Sequence, residues 1–125
     1  PEGGTETILM AEDDEAMRRL MKDVLEYSGY SVIVAVDGED AVNRFIEHKD
    51  RIQLIILDVI MPRKSGREAY EAIKGIRPDI KAVFMSGYTD DIMQKKGMLD
   101  RDVDLILKPV SPNELLRKVR KALDK

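Results

Sequence analysis

Five polar residues with the potential for chemistry each follow a short apolar run in this chain. They are Glu12 and Asp13 after TILMA, Asp58 after LIIL, Ser86 after VFM and Lys108 after LIL. Carboxylates lose hydration in apolar surroundings and repel one another when clustered, so they stay ionised only beside a cation. Because the candidate ligands are oxygens and the chain has no cysteine, a hard ion such as Mg²⁺ or Mn²⁺ is favoured.

The lysine and the hydroxyl indicate what such a metal would act on. Mg²⁺ in proteins usually keeps several waters and accepts phosphate oxygens as ligands. Lys108 carries a compact positive charge that suits a phosphoryl oxygen, and Ser86 can donate a hydrogen bond to the same group. Asp58 would then accept the phosphoryl group covalently. The residue types therefore predict a Mg²⁺-dependent phosphoryl site, provided that the fold brings them together.

Short β-type runs alternate along the chain with segments of helical period. The predicted strands are residues 7–11, 31–36, 52–57, 80–85 and 103–107. The first helix is predicted from Glu15 and the last from Ser111, and the other three cover residues 37–49, 65–78 and 90–98. The predicted inward faces of the first two helices consist of apolar residues: Met17, Leu20, Met21, Val24, Leu25, Ala41, Val42, Phe45 and Ile46.

This alternation predicts an α/β fold in which a five-stranded parallel sheet is covered by helices on both faces. Ligands bind such doubly wound sheets outside the carboxyl ends of the strands. Since all five polar residues stand where a predicted strand ends, we expect them to converge on one edge of the sheet.

Composition limits the classes of function. The 125 residues fit one domain, which we place at residues 7–125, after a polar, Gly-rich linker remnant or disordered tail at residues 1–6. The 21 basic and 24 acidic residues leave a net charge of −3, which argues against nucleic-acid binding. The absence of cysteine excludes disulfides and thiolate chemistry. No apolar run approaches the ~18 residues of a membrane span and no signal pattern is visible, so we expect no membrane association and a cytoplasmic location.

Each polar residue also has a simpler explanation. Asp58 could cap a turn, and the acidic run from Glu12 could cap a helix and favour its dipole. Ser86 could be a turn residue before Gly87, and Lys108 a solvated side chain. These explanations would all have to hold at four strand ends at once, so a shared site is the stronger interpretation.

Four segments, in this order and spacing, resemble the receiver domain of two-component response regulators: MAEDDEAMRRL, LIILDVIMPRKSG, VFMSGYTDD and LILKPVSPNEL. The resemblance covers residues 7–123 and implies the flavodoxin-like strand order 2-1-3-4-5, with five helices. The leading GGTETILMAEDDE is also similar to receiver modules fused behind histidine kinase cores. We therefore favour the receiver module of a hybrid sensor histidine kinase over a stand-alone regulator.

The resemblance implies a role for each residue of the site. Asp58 would be the aspartate that a phosphohistidine donor phosphorylates, and Lys108 the lysine that binds the phosphoryl group. Glu12 and Asp13 would be the acidic pair, with Asp13 a direct Mg²⁺ ligand and Glu12 acting through water. Ile60 would offer its backbone carbonyl to the metal.

Ser86 and Leu105 would be the switch positions, and Leu105 is aliphatic where many members of the family carry Tyr or Phe. Phosphorylation would shift the surface formed by the predicted fourth helix, fifth strand and fifth helix, where a downstream protein would bind. The donor would be a sensor histidine kinase or a histidine phosphotransfer protein, and a homodimer on phosphorylation is an open alternative. The domain would catalyse its own phosphorylation and would not be an enzyme with a separate substrate.

Two other functions stay open at this point. One is a small Mg²⁺-dependent phosphatase with an aspartyl-phosphate intermediate, which commonly has another Asp two residues after the nucleophile, where this chain has Ile60. The other is a degenerate receiver domain that serves only as an interaction module. Mg²⁺-dependent uptake of phosphate from acetyl phosphate would distinguish the interaction module from the other two.

Overall fold

A computed structural model describes residues 3–87 and 104–125, which form a five-stranded parallel sheet in the order β2-β1-β3-β4-β5. The strands are β1 (Thr7–Ala11), β2 (Ser31–Ala35), β3 (Ile52–Asp58), β4 (Lys81–Ser86) and β5 (Asp104–Leu107). The helices in the described ranges are α1 (Glu15–Tyr27), α2 (Gly38–His48), α3 (Gly66–Ile76) and α4 (Pro112–Leu123). The predicted fold class and strand order are confirmed. The helix predicted over residues 90–98 lies outside the described residues, and α4 is the helix that the sequence predicts as the fifth.

The central strand β3 explains why the sheet is covered on both faces. It pairs with β1 on one side and β4 on the other. Ile55 and Leu57 pack into one apolar core, whereas Leu54 and Ile56 pack into a second core. Because successive strand residues point to opposite faces, a continuous apolar run needs a core on each side.

Local sequence signals set where the helices begin. Asp14 caps α1 by accepting a hydrogen bond from the Met17 amide at 2.9 Å. Ser65 and Glu68 form a reciprocal capping box at the start of α3. Ser111 caps α4 by accepting a hydrogen bond from the Glu114 amide. This cap sets the start of α4 at Pro112, shortly after Lys108.

Two predictions about the inward helix faces are wrong. Leu20 of α1 is 47% exposed and Ile46 of α2 is 53% exposed. The buried stripe of α1 is centred on Met21 and Leu25, and the helix covers the sheet with a face too narrow to include the neighbouring Leu20. In the described parts of the chain, no helix is long and apolar enough to cross a bilayer.

Residues 3–6, which the sequence predicts as a linker or tail, contact two elements of the domain. The Gly4 amide donates a hydrogen bond to the Ser28 carbonyl at 3.2 Å, beyond the end of α1. The Arg120 guanidinium of α4 donates to the Gly3 carbonyl at 3.0 Å and to Glu6 Oε2 at 2.7 Å. The hydrogen bond from Arg120 lowers the pKa of Glu6, which keeps this ion pair charged.

Candidate functional site

The carboxyl ends of β1, β3, β4 and β5 bring the predicted site residues to one edge of the sheet. Asp58 and Ser86 are the last residues of β3 and β4, so both strands extend one residue beyond their predicted ends. The Val59 amide donates to the Met85 carbonyl at 2.8 Å, and the Lys108 amide donates to the Ser86 carbonyl at 2.9 Å. These backbone hydrogen bonds continue the sheet pairing through the site and hold its polar side chains on regular structure.

Lys108 lies between two buried carboxylates. Its Nζ is 2.6 Å from Asp58 Oδ2, to which it donates a hydrogen bond, and 2.8 Å from Glu12 Oε1 as an ion pair. Glu12 is fully buried and Asp58 is 5% exposed. Burial disfavours the charged lysine, but the two carboxylates outweigh burial and raise the pKa of Lys108. Lys108 therefore stays protonated and compensates part of the buried negative charge.

The three carboxylates form a candidate divalent-cation site. Ligand oxygens of Glu12, Asp13 and Asp58 all lie within 4.8 Å of one another, and Asp13 is the exposed member. Burial and the neighbouring Glu12 raise the pKa of Asp13, so its negative charge is disfavoured in the cluster. Three carboxylates against one lysine leave an excess of two negative charges, and hard oxygen ligands suit Mg²⁺. The residues present therefore fit the predicted metal.

The cluster opens into a cleft of about 580 Å³, whose lining includes Asp13, Asp58, Ile60 and Lys108. The Ile60 amide donates a long hydrogen bond of 3.4 Å to Asp58 Oδ1, while its side chain is 55% exposed. Asp58 thus has one oxygen oriented by Lys108 and the other by the backbone after β3. The Asp58 carboxylate therefore lies at the wall of an open cleft.

The structure places the two predicted switch positions differently with respect to this cleft. Ser86 is 1% exposed at the end of β4, beside the strand end that carries Asp58. Leu105 lies within β5, opposite Phe84, and is partly buried against the core that contains Ile55. The roles of Ser86 and Leu105 as switches stay predictions, as do the assigned roles of Asp58, Lys108 and the metal ligands.

An ion pair that the sequence does not indicate joins the start of α2 to the loop after β3. Asp37, the first residue of the helix predicted over residues 37–49, is 3% exposed and caps α2 by accepting from the Asp40 amide at 2.7 Å. Its other oxygen accepts a hydrogen bond from Arg63 Nη1 at 2.5 Å. Arg63 belongs to the loop between β3 and α3. The N-cap could have been found from the position of Asp37 before α2, but no local pattern points to a partner 26 residues away.

Asp37 gives the domain a pH-dependent contribution to stability. The Asp40 amide and then Arg63 lower the pKa of Asp37, although burial opposes them. The folded state therefore favours ionised Asp37, and this contribution is present above the unfolded-state pKa of about 3.9 and lost as the pH falls through the lower folded-state pKa. We expect Asp37→Asn to lower the thermal midpoint at pH 7, by a difference that shrinks progressively as the pH falls below the unfolded-state pKa of about 3.9. Parallel thermal melts from pH 7 to pH 2.5 measure this, and a difference independent of pH would contradict it.

Asp13 is expected to lower the stability of the metal-free domain and to contribute to Mg²⁺ binding. Asp13→Asn removes a charge that the cluster disfavours, but Asp13 is exposed and solvent screens its interactions, so the metal-free variant should gain only about 0.2–1 kcal/mol in the free energy of unfolding. The wild-type domain should gain about 1.4 kcal/mol when Mg²⁺ is present at ten times its Kd, and the variant should gain much less. Thermal melts with and without Mg²⁺ measure both effects, with Asp23→Asn on the exposed side of α1 as the control. An equal Mg²⁺ response in Asp13→Asn would contradict the ligand assignment.

Comparison with known families agrees with the predicted fold and family. The family model of the response regulator receiver domain matches residues 8–120 of the chain. The chain therefore belongs to the response regulator receiver domain family, as the sequence motifs predict.

Individual relatives are similar over almost the whole chain. The response regulator receiver protein CpdR of Brucella abortus is 32% identical over 93% of this chain and 95% of its own length. The sensor kinase CckA of Brucella abortus is 30% identical over 98% of this chain, which spans 13% of that kinase. The crystal structure of the receiver domain from hybrid histidine kinase CckA aligns with a TM-score of 0.79 and 31% identity, covering 94% of this chain and 98% of that chain.

Proposed function

We propose that this domain accepts a phosphoryl group on Asp58 in a Mg²⁺-dependent step of a two-component phosphorelay. The observation that supports this most strongly is the position of Lys108 Nζ, which contacts the buried carboxylates of Asp58 and Glu12 beside the exposed Asp13. A lysine that served only to neutralise a core carboxylate would have no need of an open cleft or a third acid. The cluster instead leaves negative charge uncompensated at a surface that a ligand can reach.

The phosphoryl transfer needs little from the domain beyond positioning and charge. An Asp58 carboxylate oxygen attacks phosphorus and forms the new P–O bond, while the bond from phosphorus to the donor histidine nitrogen breaks. That nitrogen keeps the electron pair, and with a proton on its other ring nitrogen the donor leaves as neutral imidazole. Lys108 remains protonated throughout and moves its contact from the carboxylate to the transferred oxygens.

Asp13 and Asp58 would hold the metal through their carboxylates and Ile60 through its backbone carbonyl, with Glu12 contributing through water. When bound, Mg²⁺ would supply the positive charge that shields the carboxylates from the incoming phosphoryl oxygens. Mn²⁺ would suit the same oxygen ligands. The supporting observation is the mutual proximity of the three carboxylates.

The output would be a population shift between two conformations. Ser86 would turn its hydroxyl towards the new phosphoryl oxygens, and Leu105 would repack as an aliphatic switch on the neighbouring strand. This would alter β5, α4 and the predicted helix over residues 90–98, the face proposed for a downstream partner. A second copy of the domain could bind to the same face after phosphorylation.

The phosphoryl donor would be a sensor histidine kinase or a histidine phosphotransfer protein in the cytoplasm, where ATP supplies the phosphoryl group. The similarity to CckA supports a module of a hybrid sensor kinase, whereas the similarity to CpdR over nearly its full length supports a stand-alone receiver. We favour the hybrid kinase because the segment GGTETILMAEDDE also resembles such modules. No nucleic-acid contact is proposed for the domain itself.

Acetyl phosphate tests the proposed function without knowledge of the kinase. Incubation of the purified domain with acetyl phosphate and Mg²⁺ should add the mass of one phosphoryl group, measured by intact-protein mass spectrometry. The same mixture with excess chelator should show no addition. Absence of uptake under both conditions would overturn the proposal and favour an interaction module, and rapid acetyl phosphate hydrolysis without any retained phosphoryl group would favour a phosphatase.

A further inference from the structure

The loop between β3 and α3, residues 59–65, is fixed at both of its ends beside Asp58. The Gly66 amide donates a hydrogen bond to the Val59 carbonyl at 3.0 Å. A Cβ atom at Gly66 would lie 2.2 Å from the Asp58 carbonyl oxygen, so the start of α3 packs directly on the backbone of the proposed phosphoacceptor. The loop also carries Ile60, whose amide contacts Asp58 Oδ1 and whose carbonyl is the proposed metal ligand.

The middle of the same loop has an unfavourable backbone conformation. Arg63 has a φ of +67°, in the left-handed region that residues other than glycine and asparagine rarely adopt. Such a conformation persists only when surrounding contacts hold it. The ion pair from Arg63 Nη1 to the buried Asp37 Oδ2, at 2.5 Å, is a contact of this kind.

A second contact joins the loop to the start of α2. A Cβ atom at Gly38 would lie 2.0 Å from the Lys64 carbonyl oxygen, so the two backbones touch. Glycine at position 38 permits this approach, and Asp37 immediately before it forms the ion pair with Arg63. The loop is thus docked on the N-terminal end of α2 by one backbone contact and one charged side-chain contact.

We propose that Arg63 and Asp37 are a positioning pair for the phosphoryl site. By holding the loop on α2, the pair sets the backbone of Ile60, and hence the carbonyl that the proposed function assigns to the metal and the amide that orients Asp58. Pro62, with its fixed φ, stiffens the short connection between Ile60 and Arg63. Neither Arg63 nor Asp37 touches the phosphoryl group or the metal in this account, and the inference depends on the proposed function.

Three variants and a control separate the contribution of the pair from other effects. Arg63→Gln and Asp37→Asn each remove the ion pair, and Asn retains the oxygen that caps α2. We expect each to weaken Mg²⁺ binding about tenfold, the lower end of the effect for residues that support metal ligands. The double variant should bind no more weakly than the single variants. The control Arg67→Gln removes a charge of the same sign from an exposed ion pair with Glu71 on α3, and should leave the Kd unchanged.

Arg63→Gly distinguishes the ion pair from the backbone conformation. Glycine adopts the left-handed region without strain. If the pair positions the loop, Arg63→Gly should weaken Mg²⁺ binding as much as Arg63→Gln does, whereas an unchanged Kd would overturn the inference. The Ile60 amide resonance provides a second measurement, because it should shift in the metal-free Arg63 and Asp37 variants but not in Arg67→Gln.

The Kd for Mg²⁺ is measured by titration with MgCl₂ followed by NMR, at a temperature where thermal melts show every variant to be folded. Failure of the wild-type domain to bind Mg²⁺ would overturn the proposed function. Normal wild-type binding together with unchanged affinity in Arg63→Gln and Asp37→Asn would overturn the positioning pair alone.

Discussion

Asp58→Asn is expected to abolish phosphoryl uptake from acetyl phosphate. Asparagine matches aspartate in size, so the end of β3 and its backbone hydrogen bonds can remain as they are. The side-chain amide of asparagine, however, is not a nucleophile, and it lacks the negative charge that pairs with Lys108. Intact-protein mass spectrometry after incubation with acetyl phosphate and Mg²⁺ should show the unmodified mass alone.

A control substitution tests whether the loss is specific to the site. Asp50→Asn changes an exposed aspartate just before β3, at the opposite end of the same strand. This variant should take up phosphate like the wild-type domain. Retained uptake in Asp58→Asn would place the phosphoacceptor elsewhere in the chain and would contradict the central assignment.

Alanine is expected to destabilise the domain when it replaces Gly66, the first of the two glycines of α3. The added methyl group would lie 2.2 Å from the Asp58 carbonyl oxygen and 3.1 Å from the Val59 Cα. Both are backbone atoms, so relief requires α3 to move away from the end of β3. Overpacking of this kind costs about 3 kcal/mol, which corresponds to a thermal midpoint about 10 °C lower for a domain of this size.

Gly75→Ala is the matched control in the same helix. Among the described residues outside its own helical turn, no atom lies within 4 Å of the position that a Cβ would take. Alanine favours the helical conformation by about 1 kcal/mol relative to glycine, so this variant should be slightly more stable than the wild-type domain. Thermal melts of both variants measure the contrast. A Gly66→Ala variant as stable as Gly75→Ala would mean that the contact between α3 and β3 is not as close as the structure places it.

Much of the fold could be predicted because it depends on short-range patterns. The alternation of apolar runs and helical periods defines an α/β fold, and each polar residue of the site follows a strand end that the pattern locates within one residue. Parallel strands bring such ends to the same edge, so Glu12, Asp13, Asp58, Ser86 and Lys108 could be placed together before any coordinates were known. The strand order itself came from the family resemblance and not from the pattern.

The tertiary structure alone decided which of these charges contact one another. Lys108 lies 50 residues after Asp58 in the chain, and only the coordinates show that it contacts both Asp58 and Glu12. The ion pair between Arg63 and Asp37 likewise joins two loops that no periodicity relates. The period of the apolar residues shows which side of a helix or strand is buried, because each position on that side is selected to be apolar whatever its distant neighbours are. Ion pairs depend on distances of a few ångströms between distant segments, and those distances are set only when the elements pack.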